Sequence, residues 1–255
     1  MPSRFFWYEL TTDDLAGAEA FYTAVLGWST EHWGPPGAPP YVIVKAGETG
    51  IAGLMTTPDH LKAMGVPPCW TGYIHAADVD AAVETLTKAG GTVHRAPWDI
   101  PEIGRLAVVA DPQGATFILM APMGEGGGPD APPMTPGHVG WHELYADDWS
   151  AALDFYSGEF GWTKADAIDM GPMGTYQLFA TGGDPAGGMM NRPPEVPMPV
   201  WIYYFSVDGI DAAAARVTDN GGKLMMPPME VPGGGWVAQC TDPQGAWFAL
   251  VSATR

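Results

Sequence analysis

The stretch FFWYELTTDDLAGAEAFYTAVLGW (residues 5–28) is written again, with changes, as VGWHELYADDWSAALDFYSGEFGW (residues 139–162). Trp7, Glu9, Asp14, Tyr22 and Trp28 fall on Trp141, Glu143, Asp148, Tyr156 and Trp162, each 134 positions on. Further along, Trp70, Tyr73, Asp80 and Gly90–Gly91 fall on Trp201, Tyr204, Asp211 and Gly221–Gly222, each 131 positions on. DPQGATF (111–117) returns as DPQGAWF (242–248) at that same interval. Two unrelated hairpins can share a turn, but they would not also share the upstream Trp, Glu and Phe-Tyr positions. The chain reads as a tandem duplication: one domain over 1–123, a Gly/Pro-rich linker over 124–137, and a second domain over 138–255.

Each half contains a weaker repeat. An aromatic and β-branched run, FFWYEL, precedes an acidic cap and a helical stretch. There Leu15, Ala18, Phe21, Tyr22 and Val25 recur at three and four. Asp13 or Asp14 can cap this helix and Gly27 can end it. Strand-like runs follow at 28–33, 41–46 and 51–56. WTGYIHA then begins a second pass: a helix closed by Gly90 and strands at 92–96, 105–110 and 115–121. DPQG is turn chemistry, with Pro presetting one backbone angle and Gly accepting the next. The expected class is α+β, built from four βαβββ units.

With 255 residues, 46% of them hydrophobic, there is material for two cored domains. A net charge of −18 repels nucleic acid and anionic membranes, so neither is expected as a partner. Two cysteines, Cys69 and Cys240, cannot make a disulfide framework. No long apolar window suggests a signal or a membrane span, and the expected location is cytoplasmic. Phosphate-binding glycine motifs, a GxSxG elbow and HExxH are all absent from the sequence.

Paired βαβββ units, with FY…LGW ending the first helix and DPxG before the last strand, resemble the vicinal oxygen chelate superfamily. That group includes glyoxalase I, extradiol dioxygenases, fosfomycin-resistance enzymes and bleomycin-binding proteins. More narrowly, the chain is similar to bacterial tandem glyoxalase-like proteins often labelled hydroxylase. The resemblance implies two glyoxalase-like domains, each an incomplete barrel around a cleft that takes ligands and metals. It also implies His or Glu on inward strand positions. The positions that match here hold Trp7 and Trp141, Thr71 and Ile202, Ile118 and Ala249, and glycine near Gly53 and Gly188. Trp, Ile and Ala offer a metal nothing. No metal ligand set and no cofactor are therefore expected, although the fold leaves room for a divalent ion.

Strand alternation puts Trp7 and Glu9 on one face, and Trp141, Glu143 and Tyr145 on another. A carboxyl group among rings is desolvated and can move a proton or bond a ligand; it can equally bond backbone or an Arg. His75 could meet Glu9 or be a structural histidine. His142 should face the helix. Glu9, His75 and Glu143 are the candidate catalytic groups. Trp7, Tyr73, Trp98, Trp141, Tyr145, Tyr204, Met229 and Trp247 are the candidate ligand contacts. The segments around 94–105 and 225–236 read as loops, either at a cleft mouth or simply on the surface; His32–Trp33 with 34–40 reads as a further lip.

Three functions stay open. The first is metal-independent binding of a small apolar or aromatic molecule, for sequestration, resistance or sensing. The second is an oxygenase-, lyase- or isomerase-like enzyme using the cleft Glu and His residues. The third is an interaction module with packed clefts. The tandem halves suit a monomer, a pseudo-dimer of domains, or a weak homodimer.

Overall fold

Asp14 accepts a hydrogen bond from Gly17 N at 2.9 Å, and Gly27 stands in the left-handed region at φ 70. Between them runs α1 (Leu15–Leu26), burying Ala18, Phe21, Tyr22, Val25 and Leu26. The second copy uses the same devices. Asp148 caps Ser150 and Ala151, and Gly161 at φ 70 ends α4 (Trp149–Phe160). Side-chain caps of this kind satisfy amides that the helix leaves open. The structure is a computed structural model and describes residues 3–34, 37, 39–124 and 131–255. Residues 125–130 of the expected linker, and three residues of the 34–40 lip, lie outside the described residues.

The first half runs β1 (Phe5–Thr12), α1, β2 (Ser29–Trp33), β3 (Tyr41–Ala46), β4 (Thr49–Thr56) and a short α2 (Asp59–Ala63). It continues with β5 (Cys69–His75), α3 (Val79–Lys88), β6 (Thr92–Ile100), β7 (Gly104–Ala110) and β8 (Thr116–Pro122). The second half runs β9 (Val139–Ala146), α4, β10 (Thr163–Asp169), β11 (Thr175–Ala180) and β12 (Pro185–Asn191). It ends with β13 (Val200–Ser206), α5 (Ile210–Asp219), β14 (Lys223–Glu230), β15 (Trp236–Thr241) and β16 (Trp247–Ser252). Each half forms one eight-stranded sheet. The orders are β2-β3-β4-β1-β5-β8-β7-β6 and β10-β11-β12-β9-β13-β16-β15-β14, and neither sheet closes on itself. The α+β architecture and the four βαβββ passes stand as expected from the sequence.

The two expected loops are a correction. His94, Arg95, Trp98 and Asp99 belong to strand β6, and Met225, Met226, Met229 and Glu230 to β14. Pro97 lies in β6 and Pro227–Pro228 in β14. They sit where the pairing slips register, between Arg95 and Trp98 and between Met226 and Met229. Both strands are sheet edges, where a missing N–H and an irregularity cost little.

The described residues gather into two contact units, each drawn from both sequence halves. One is Met1–Phe6, Thr71–Gly127 and His142–Ile202; the other is Trp7–Trp70, Gly128–Trp141 and Tyr203–Arg255. The DPQG turn is central to both. In one unit Asp111 accepts from Gln113 N and Ala115 N, and its second oxygen from Tyr156 Oη at 3.1 Å. Trp201 Nε1 donates to that tyrosine oxygen at 2.9 Å. In the other unit Asp242 accepts from Gln244 N, Ala246 N and Tyr22 Oη, and Trp70 Nε1 donates to Tyr22 at 2.8 Å. Burial raises the pKa of both aspartates against the pull of these donors. A motif that looked like a turn is thus also a buried acceptor for the other half's first helix.

Candidate functional site

Tyr8, Leu10 and Thr12 of β1 are buried, while Trp7, Glu9 and Thr11 alternate with them and are half-buried. Glu9 stands beside Gly53 of β4 in the parallel pairing, and Gly53 stands beside Ile43 of β3. The space above Gly53 belongs to Tyr41: a Cβ at Gly53 would collide with the phenol ring and its hydroxyl. Trp7 Nε1 donates to Tyr41 Oη at 3.2 Å, and the Glu9 carboxyl acts electrostatically on the same phenol. Burial, then the Glu9 charge, pushes the phenol well above its ordinary pKa, so it stays protonated. The Trp7 ring lies over Gly50, where a Cβ would stand 3.4 Å from it. Thr11 Oγ1 and Cys69 Sγ are 3.6 Å apart on the same side of the strand.

The second half repeats this arrangement. Glu143 is buried and accepts from Tyr176 Oη at 2.9 Å. Glu143 pairs with Gly188 of β12, and a Cβ there would strike the Tyr176 ring. Tyr145, two residues along, pairs with Met190; Trp141 and Tyr145 are half-buried. On β1 Trp7 and Glu9 alternate with buried neighbours, whereas on β9 Glu143 and Leu144 are both buried and Trp141, His142 and Tyr145 half-buried. Tyr41 and Tyr176 went unnoticed in the sequence. The available signal was a glycine inside a strand, which marks the close approach of another group.

On the middle strands Tyr73 is buried and pairs with Ile118, while His75 pairs with Met120. The His75 ring meets Phe6 edge-on, with centroids 6.3 Å apart. Its Nδ1 is buried without a hydrogen bond among the described residues, and burial lowers its pKa. Glu9 and His75 fall in different contact units, and Glu9 acts on the Tyr41 phenol that also receives Trp7 Nε1. Tyr204 is buried and accepts from Gln239 Nε2 at 3.0 Å. Trp247 is half-buried opposite Thr241. On the edge strands the Arg95 guanidinium sits 3.7 Å above the Trp98 ring, and Met229 is 39% exposed. His142 faces the core side of β9, stacked on Phe5 with centroids 4.7 Å apart. It bonds Ala186 O through Nδ1 at 2.9 Å, and burial pushes its pKa down to about 4.

A divalent metal does not fit these residues. Among the described residues no three of His, Cys, Asp and Glu stand together as ligands. At the glycine positions 53 and 188, a tyrosine ring fills the volume that a ligating side chain would need. Each half offers a single strand carboxylate at this place, Glu9 beside the Tyr41 phenol and Glu143 bonded to that of Tyr176. No helix among the described residues is long and apolar enough to cross a membrane.

Two open sheets of paired βαβββ units, each with a carboxylate on its first strand, define a tandem glyoxalase-like protein. The comparisons agree: the chain belongs to the Glyoxalase/Bleomycin resistance protein/Dioxygenase superfamily, matched over residues 4–119 and again over 135–250. It is 32% identical over 247 residues to CFP32 of Mycobacterium tuberculosis (strain CDC 1551 / Oshkosh), provisionally named a glyoxylase. That match covers 96% of this chain and 93% of the relative. It is 32% identical over 256 residues to the anthracycline biosynthesis protein DnrV of Streptomyces peucetius, covering 96% and 91%. Among solved structures, the 2,3-dioxygenase LapB from Pseudomonas sp. KL28 aligns with TM-score 0.69 at 15% identity, covering 100% of this chain and 94% of that one. The Mn(II)-bound glyoxalase from Novosphingobium aromaticivorans aligns with TM-score 0.66 at 16% identity, covering 100% and 82%. At such identities the likeness shows the fold alone.

Proposed function

We propose that the chain binds a small apolar or aromatic molecule, without a metal, against the half-buried face of the first strand in each half. The observation that carries this reading is the twice-built Glu–Tyr couple on a glycine-backed strand: Glu9–Tyr41 beside Trp7, and Glu143–Tyr176. Aromatic rings supply flat apolar area, and one carboxylate supplies orientation, which is the usual division of labour in a ligand site. Relatives named for anthracycline biosynthesis support a polycyclic aromatic ligand. Sequestration by a cytoplasmic monomer fits the strongly acidic chain and its two cysteines that form no disulfide. The competing reading, an enzyme using Glu9, Glu143 or His75 for proton transfer, draws on the lowered pKa and buried Nδ1 of His75.

The test is a tryptophan-fluorescence titration with 2-naphthol, before and after exhaustive chelation and then with added Mn(II). Saturable quenching is expected, with a dissociation constant on the order of micromolar that chelation leaves unchanged. Absence of saturation, or binding that needs the metal, would end this reading. Conversion of the probe into a product would move the protein to the enzyme class.

A further inference from the structure

We infer that the pocket at the C-terminal end of α1 is a second ligand site, for a small organic cation bearing a protonated amine. It stands apart from the Glu–Tyr faces, and neither reading depends on the other.

The pocket has a volume of about 370 Å³. Leu26 and Gly27 line it at the end of α1, Gly47 at the turn after β3, and Thr135, His138 and Asp208 on the other sides. All of these residues belong to one contact unit. Gly27 and Gly47 stand at φ 70 and 59 with nothing near their missing side chains, which keeps the space clear.

The duplication shows what is particular to this place. Trp28 Nε1 donates to Gly137 O at 2.7 Å, as Trp162 Nε1 donates to Ser3 O at 2.6 Å. Ser206 N donates to His138 O, as His75 N donates to Arg4 O. These bonds put His138 where the first copy has Arg4. The 131-residue interval puts Asp208 where the first copy has Ala77. One copy therefore carries a fixed cation and a neutral residue, and the other a histidine and a carboxylate. Both differences move the charge in the same direction, toward a place short of a cation.

The surroundings point the same way. The end of α1 carries the negative pole of the helix and has no basic residue in its last turn. Arg216 of α5 donates to the Val25 carbonyl, but Val25 is buried and does not line the pocket. The Asp208 carboxylate has no hydrogen bond or ion pair among the described residues, while its backbone carbonyl takes the Thr254 hydroxyl. Two other basic side chains of the unit are already engaged, Lys45 with Glu31 and Arg255 with Asp211. His138 Nδ1 lies 3.2 Å from Pro136 O, so a neutral ring donates there and offers a ligand only a lone pair. Among the described residues no three His, Cys, Asp or Glu stand together, so the chemistry suits an ammonium rather than a divalent metal.

Benzylamine, benzyl alcohol and benzoate present one ring with a cation, a neutral donor and an anion. Titrations of the full chain at low salt, read from the backbone amide signals of Gly27, Gly47 and Gly137, report on this pocket alone. Benzylamine is expected to saturate those signals with a dissociation constant on the order of a millimolar or below. It should bind about tenfold more tightly than benzyl alcohol, the scale of one hydrogen bond to a charged group. Benzoate should leave the signals unmoved. Asp208→Asn should cost the amine about tenfold and leave the alcohol unchanged. His138→Arg with Asp208→Ala, which rebuilds the first copy's pair, should abolish amine binding. Equal affinity for amine and alcohol would overturn the inference, as would absence of saturation. So would full amine affinity in Asp208→Asn, which would mark a general attraction to the net charge of −18. Thermal melts of the variants show that the fold is retained. The 2-naphthol titration is scored separately, so this site and the Glu–Tyr faces fail independently.

Discussion

His142 and Glu143 are neighbours on β9 and meet opposite surroundings. Glu143 turns to a phenol that donates to it, whereas His142 turns inward and stacks on Phe5. Burial holds His142 neutral down to about pH 4, against about 6.5 in an unfolded chain. Between those values the unfolded state takes up a proton that the folded state refuses, so stability falls as pH drops through that window. Asp111 and Asp242 have raised pKa values and act in the opposite sense at acid pH, but identically in a His142 variant. Urea unfolding at pH 7, 5.5 and 4.5 should therefore show the intact chain losing on the order of 2 kcal/mol more than His142→Gln across the range. Parallel losses in the two proteins would mean the ring is not buried as described. The alternation that put His142 inward and Trp7, Glu9, Trp141 and Glu143 on the other face was legible in the sequence, because a strand's period is local. Tyr41 and Tyr176 were not, since each reaches its glutamate across a neighbouring strand, and no local period reports that distance.

At the scale of elements, the caps and turn signals of α1 translated directly, with Asp14 and Gly27 at the expected ends. Edge strands β6 and β14 did not, because their prolines look like loop residues unless one knows that the strand has no outer neighbour. Glycines separate the same way. Gly187 of β12 stands opposite His142 in the parallel ladder, and a Cβ there would strike the His142 carbonyl and the Phe179 ring. Neither the mid-sheet backbone nor the buried ring can yield easily. Gly187→Ala is expected to cost about 2–3 kcal/mol. Gly158 lies within α4 and has nothing near its missing side chain. There the backbone entropy dominates, and Gly158→Ala should stabilise by roughly 0.5–1 kcal/mol. Thermal unfolding of the two variants gives opposite shifts in midpoint if the strand and helix environments are as described. Matching shifts would contradict them.

At the scale of the whole molecule, the duplication is visible in the letters but the exchange of partners is not. Both halves carry the same Tyr, Trp and DPQG aspartate, so sequence alone cannot say whose tyrosine meets whose aspartate. The contacts choose the exchange: Tyr22 with Asp242 in one unit, Tyr156 with Asp111 in the other. Helices follow suit, with Arg216 of α5 donating to the Val25 carbonyl of α1, and Thr85 of α3 to Glu159 of α4. Tyr22 and Tyr156 are wholly buried, so a half made alone would leave a buried phenol without its acceptor and a buried aspartate without its phenol donor. Each such group costs about 1–3 kcal/mol when stranded, more for the aspartate, against a total stability of only about 5–15 kcal/mol. Residues 1–123 by themselves should therefore not persist as a folded monomer. Asp111 carries the same turn as Asp242, so the fragment's escape is a second copy of itself, with Tyr22 of each copy reaching Asp111 of the other. Light scattering after size exclusion should show a homodimer of 1–123. Addition of residues 138–255 should convert it into a one-to-one pair with the near-ultraviolet circular dichroism of the intact chain. A folded monomer of either half at micromolar concentration would show that the exchanged Tyr–Asp bonds are dispensable.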